Sequence, residues 1–135
     1  MIPIDQTIVN KTKGNCIQAA VASMFELDMT QVPNFVLFGK GYWNILYYFI
    51  WSLGYRIGCR DIKHWAFDRT DLINGCIMAS VKSKTYKHVT HAILVNSVGR
   101  VIHDPNPKKQ YQDVNVLETG ELVQWTHMEK RYDVI

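Results

Sequence analysis

GYWNILYYFIWSLGYRIGC, residues 41–59, contains the change of pattern on which the fold turns. Up to Leu53 it is an apolar and aromatic run in which only Asn44 and Ser52 are clearly polar. A helix is expected from near Gly41 to Leu53, stopped by Gly54. Having no strongly polar face, that helix is expected to be largely buried. It is also shorter than the roughly 20 apolar residues a membrane span requires. Beyond Gly54, TyrArgIleGlyCys (55–59) has the short, β-branched character of a strand.

Toward the N-terminus the chain is again helical. The opening residues read as an extended lead-in, and from Asn15 onward Ile17, Ala20, Val21 and Met24 recur at three- and four-residue spacing as far as Leu27-Asp28. Pro33, within ThrGlnValProAsnPhe (30–35), separates the two helices. Toward the C-terminus, CysIleMetAlaSerVal (76–81), HisAlaIleLeuVal (91–95) and ArgValIleHis (100–103) read as further strands. Helices followed by strands, rather than alternating βαβ units, predict an α+β domain: N-terminal helices packed on a mostly antiparallel sheet. No repeat or linker divides the chain, and 135 residues at 47% hydrophobic content can bury a core, so residues 1–135 are read as one domain.

The charge pattern narrows the function. A net charge of +3 is modest; the lysines fall mainly in Lys11/Lys13, Lys82/Lys84/Lys87 and Lys108/Lys109, without a basic helix or aromatic interleaving. Nothing here supports a nucleic-acid partner or a membrane partner. Three cysteines, Cys16, Cys59 and Cys76, are an odd, sparse set for a disulfide framework, and no signal-like segment opens the chain, so a reducing, cytoplasmic setting is expected. Cys59 and Cys76 are expected to be strand-core residues. His88 and His91 have HisXXHis spacing on a loop entering a strand, with no cysteine or carboxylate to complete a metal set, so no metal is expected. His64 and His127 are read as structural, and Trp43 and Trp65 as packing residues or a cleft wall. No nucleotide-binding glycine pattern is present, and no cofactor is expected.

Cys16 opens the first helix. A cysteine in a first helical turn meets unpaired backbone N–H groups and the positive end of the helix dipole, which favour thiolate. Such sites lower a pKa of about 8.5 to roughly 3.5–7.5, most strongly with a histidine nearby. Asn15 is a good N-cap type, and Ala19 and Ala20 leave room for close packing against a sheet. A lone helical cysteine is equally a small buried hydrophobe. A nucleophile would need a base, an acceptor to orient the base and donors for the oxyanion. All have candidates in chain order: His91 opens one strand, Asp104 closes the next, and Gln6 precedes the cysteine. The register of the intervening hairpin is open. A two-residue turn at Val98-Gly99 would put Asp104 on the face of His91, and a three-residue turn ending at Gly99 with a bulge would put His103 there.

AspGln (5–6), GlyAsnCys (14–16) with its helix, ValProAsnPhe (32–35), HisAlaIleLeuVal (91–95) and HisAspPro (103–105) together resemble the papain-like cysteine peptidases. The similarity is to the small branch that includes the double-glycine, bacteriocin-leader peptidase domains and small bacteriophage-encoded domains. The resemblance implies a papain-like fold with Cys16 as nucleophile, His91 as general base, Asp104 as its orienting acceptor and Gln6 as an oxyanion-hole donor. The acceptor is followed by proline, as Asp104 is. Gln6 lies ten residues before Cys16, a longer gap than the papain pattern, so residues 7–14 must loop out or Gln6 is not the donor.

The activity implied is a cysteine hydrolase acting on a peptide or isopeptide bond through a thioacyl intermediate. Its partner would be a protein or peptide substrate in the host-cell cytoplasm, host or defence proteins included. The alternatives are an amide hydrolase or acyltransferase on a non-peptide substrate, and an inactive binding module. The loop of residues 82–90, just before His91, is expected to wall the cleft, its lysines favouring an acidic or carboxylate-bearing substrate.

Overall fold

The computed structural model describes residues 1–60 and 72–132. His64 and Trp65 lie outside the described residues. The remaining chain is α+β. Helix α1 (Cys16–Phe25) is followed by 3-10 turns at Met29–Gln31 and Phe35–Gly41, helix α2 (Tyr42–Ser52), and strands β1 (Tyr55–Arg60), β2 (Ile77–Lys82), β3 (Thr90–Val95), β4 (Val101–His103) and β5 (Leu122–Lys130). The strands form one sheet in the order β1-β5-β2-β3-β4, and every pairing is antiparallel. The last strand in the sequence therefore lies inside the sheet.

α1 packs on β3, and its small side chains explain how closely. Ala19, Ala20, Val21 and Ala22 are fully buried, so the sheet meets methyl groups rather than long side chains. Ser23 is buried in the same helix; its hydroxyl donates to the Ala19 carbonyl at 2.7 Å and accepts from the Ile4 N–H at 2.9 Å. The second bond joins the extended lead-in to the helix. Glu26 then takes a left-handed conformation, with φ of 58°, and the helix stops.

α2 departs from expectation. Of its residues only Leu46 and Ile50, one turn apart, are fully buried, while Tyr48 is 68% exposed. An apolar composition all round does not bury a helix that has a sheet on only one side. Cys59 also departs: it lies exposed on the edge strand β1, beside the Gln124 amide, rather than in the core. Cys76 is buried, its thiol donating to the Ile73 carbonyl.

The two sheet faces carry separate cores. Ile57, Met78, Ala92, Leu94 and Met128 meet α1 and α2 on one face. Ile77, Ala79, Ile93, Val95, Val101 and Trp125 fill the other, covered by Tyr111 and Val116. Among the described residues no helix is long and apolar enough to cross a membrane.

The β3–β4 hairpin has the three-residue turn, yet it brings Asp104 rather than His103 to His91, because the bulge lies in β4 beyond the turn. Asn96 N–H bonds the Arg100 carbonyl around Ser97, Val98 and Gly99, the last at φ of 89°, so the turn has three residues. Val95 pairs with Val101, but Leu94 pairs with His103, so Ile102 is an extra residue in β4. The bulge reverses the alternation that the three-residue turn had set. His103 consequently faces the N-terminal lead-in, where its Nε2 bonds the Ile4 carbonyl at 2.7 Å, and Asp104 reaches His91.

Candidate active site

Docking of α1 on β3 places the first residue of the helix beside the start of the strand. There Cys16, half-buried, lies near enough to His91 and to the backbone N–H groups of Ala92 and Ile17 for all three to favour its charged form. His91 Nε2 lies 2.6 Å from Asp104 Oδ1, which leaves Nδ1 for the thiol. Cys16, His91 and Asp104 thus form one relay.

The environment sets the charges. Burial alone would raise the Cys16 thiol, but the hydrogen bond and charge of His91, with the two backbone donors, hold it below its ordinary 9.0. Burial likewise disfavours the His91 imidazolium, and the bonds to Asp104 and Cys16 outweigh it, raising the pKa to about 9. Asp104 is wholly buried; burial disfavours its charge, whereas His91 and the backbone N–H groups of Tyr111 and Asn106 hold its carboxyl below the ordinary range. The Cys16 and His91 shifts run in opposite directions, each toward the charged form of its group.

Asp104 is held by more than its histidine. Asn106 N–H donates to Oδ1 at 3.0 Å and Tyr111 N–H to Oδ2 at 2.9 Å. Gln112 accepts from the Asp104 N–H at 2.9 Å and donates to the Ile102 carbonyl at 3.0 Å. Lys109 Nζ bonds the Asp104 carbonyl at 2.7 Å and also the Asp5 carboxylate. Sequence reasoning missed this cradle. The signal was present in AspProAsnPro (104–107), where an Asx turn returns the N–H two residues on to the aspartate.

Gln6 lies in the same cleft and is buried. Its backbone N–H bonds the Pro105 carbonyl at 2.9 Å, tying it to the corner that carries Asp104. The side-chain Nε2 donates one hydrogen to the Ile8 carbonyl at 2.9 Å, and Oε1 is buried without a hydrogen bond. Nε2 carries a second hydrogen beyond the one given to Ile8.

The long gap between Gln6 and Cys16 is accommodated as a loop clamped at its base. Asn15 makes no side-chain cap to its own helix. Its Oδ1 instead accepts from Thr7 and Ile8 N–H at 3.0 and 2.9 Å, and its Nδ2 donates to Thr7 Oγ1 and Gln18 Oε1. A Cβ on Gly14 would lie 2.8 Å from the Asn10 carbonyl oxygen, so only glycine lets the loop close this tightly.

The cleft measures about 220 Å³, and Cys16, His91, Gln6 and Asn106 line it. The 9–14 loop forms one wall and Ser83, Thr85, Tyr86, Val89 and Thr90 form the other. The Tyr86 hydroxyl reaches the Val9 carbonyl across it at 3.4 Å. Trp43 packs in the helical core rather than lining this cleft. His88 is exposed on its loop, and among the described residues no cluster of three His, Cys, Asp or Glu side chains could hold a metal ion. His127 is buried, with Nε2 3.9 Å from Glu129. Comparison with protein-family models, with curated proteins and with solved structures found no match for this chain.

Proposed function

We propose that the protein is a papain-like cysteine hydrolase that cleaves a peptide or isopeptide bond in a protein or peptide substrate. One observation carries the reading: His91, which shares the cleft with Cys16, is bonded at 2.6 Å to a wholly buried Asp104 whose oxygens also accept from the Asn106 and Tyr111 N–H groups. A buried carboxylate is costly unless satisfied, and here its bonds converge on orienting one imidazole beside one thiol.

The chemistry follows from those positions. The Cys16 thiolate attacks the acyl carbon, a C–S bond forms and the carbonyl electron pair moves to oxygen. The second Gln6 Nε2 hydrogen and the Cys16 backbone N–H are the donors for that oxyanion. Protonated His91 gives its proton to the leaving amine as the C–N bond breaks, and a thioester remains. Neutral His91 then takes a proton from water, whose oxygen attacks the thioester; collapse expels the Cys16 thiolate beside a reprotonated His91. Asp104 holds the ring throughout and keeps its own charge.

Iodoacetamide labelling of Cys16 across about pH 4 to 9, with Cys59 and Cys76 as internal standards, tests the activated thiol. Selective labelling of Cys16 well below pH 8, slowed in His91→Ala, supports the reading. An ordinary thiol profile at Cys16 would overturn it.

A further inference from the structure

The segments that carry the three lysine clusters, far apart in sequence, supply the two walls of the cleft and the corner beside it, with Lys84 over the Tyr111 ring and Lys109 paired with Asp5. Lys11 lines it, and Lys13 stands on the same loop. Lys82, Lys84 and Lys87 stand on the segment that supplies the opposite wall, and Lys108 and Lys109 follow Asn106, which lines the cleft beside the Asp104 corner. Residues 5–16, 82–91 and 103–112 hold seven lysines and only two carboxylates, Asp5 and Asp104. Both carboxylates are engaged: Asp5 with Lys109, and Asp104 with His91 and its backbone cradle. The rest of the chain keeps eight of the 15 basic residues and ten of the 12 acidic ones, so the excess of positive charge falls on these three segments.

Lys11, Lys13, Lys82, Lys84, Lys87 and Lys108 are all exposed. A rim of one sign around a concave, low-dielectric site concentrates ligands of the opposite sign and raises their association rates by about 10 to 10³-fold at low salt.

We infer that the cleft selects acidic polypeptides: the lysine-bearing loops on its walls draw in a chain with carboxylates flanking the bond presented to Cys16. This deepens the hydrolase reading and rests on it. A polypeptide fits better than a nucleic acid, because the thiol at the cleft floor attacks acyl carbon.

The test uses three bromoacetyl tripeptide amides, triglutamate, trialanine and trilysine, as alkylating probes; the thiolate displaces bromide and a C–S bond forms. The expected result at low salt is labelling of Cys16 about tenfold faster by triglutamate than by trilysine, with the ratio near one at Cys59. The Cys16 ratio should collapse toward one at roughly 0.5 M salt, where screening shortens to a few ångströms. The triglutamate-to-trilysine ratio, taken within one protein, should also fall in a Lys11→Glu/Lys13→Glu/Lys84→Glu/Lys87→Glu variant. A ratio that salt does not change, measured on the parent alone, would overturn the inference. So would a preference abolished by a short single-stranded oligonucleotide but not by polyglutamate. Labelling of Cys16 by trialanine no faster than Cys59 would instead remove the hydrolase reading on which the inference stands.

Discussion

His91 and Asp104 meet at 2.6 Å only because Ile102 is an extra residue in β4; the count through the three-residue turn would otherwise bring His103 to that face. The bond sets a testable electrostatic signature. His91 has a folded pKa of about 9 against an ordinary 6.5. Its stabilisation is complete below pH 6.5 and is lost as pH rises through about 9. In Asp104→Asn the imidazolium loses its charged partner. Acyl transfer at neutral pH is expected to fall on the order of 10² to 10⁴-fold, and the acid limb of Cys16 alkylation should move up toward that of an ordinary thiol. The stability difference between parent and variant in urea titrations should be larger at pH 6 than at pH 9.5. An unchanged alkylation profile would count against the relay.

His103 has the opposite sign. Burial and the nearby Lys109 charge hold its pKa below 6.5, outweighing the bond to the Ile4 carbonyl and the Asp5 charge. Its contribution is therefore present above pH 6.5 and lost as pH falls through the depressed folded value. His103→Leu should cost about 1 kcal/mol at pH 7 by removing the donor to the Ile4 carbonyl. His103→Gln, which can keep a donor and does not titrate, should recover part of that stability and flatten the loss between pH 7 and 5. Urea midpoints at the two pH values decide it.

Gly14→Ala forces a methyl group against the Asn10 backbone. The expected cost is about 1 to 3 kcal/mol, as for other overpacked sites. Because this loop is a cleft wall and not part of the relay, alkylation of Cys16 by iodoacetamide should keep its low-pH character while stability falls in thermal scans. A protein as stable as the parent would show that the loop closes less tightly.

Trp125→Ala opens the core beneath Tyr111 and Val116 and should cost about 3 to 5 kcal/mol in urea unfolding. A loss below about 1 kcal/mol would mean that the cavity collapses or that the second core is loosely packed.

The sequence showed most of the architecture where its periods were clean. The small-residue stripe of α1 and the short apolar, β-branched runs of β2 and β3, which are buried on both faces, could be read directly. β5 was missed because Trp125, Thr126, His127 and Met128 are buried in succession, two of them polar, which matches neither alternation nor an apolar run. α2 was misjudged because an all-apolar helix does not reveal which single stripe meets the sheet. Asn15 has the composition of a cap, but two loop N–H groups occupy its oxygen. Cys16 and His91 were legible from the residues, and Asp104 in place of His103 only through the resemblance; the bulge at Ile102 was not legible, since a β-branched residue fits a regular strand as well as a bulged one.

The place of β5 has a consequence for synthesis. Cys16 and His91 are made early, and so are all the other strands, yet β5 pairs with both β1 and β2 and lies between them. A nascent chain halted before residue 122 has an isolated edge strand on one side and a three-stranded piece on the other. Pairing of residues 122–130 with both neighbours joins the two pieces, so the sheet that underlies the Cys16–His91 cleft closes only when β5 slots between them.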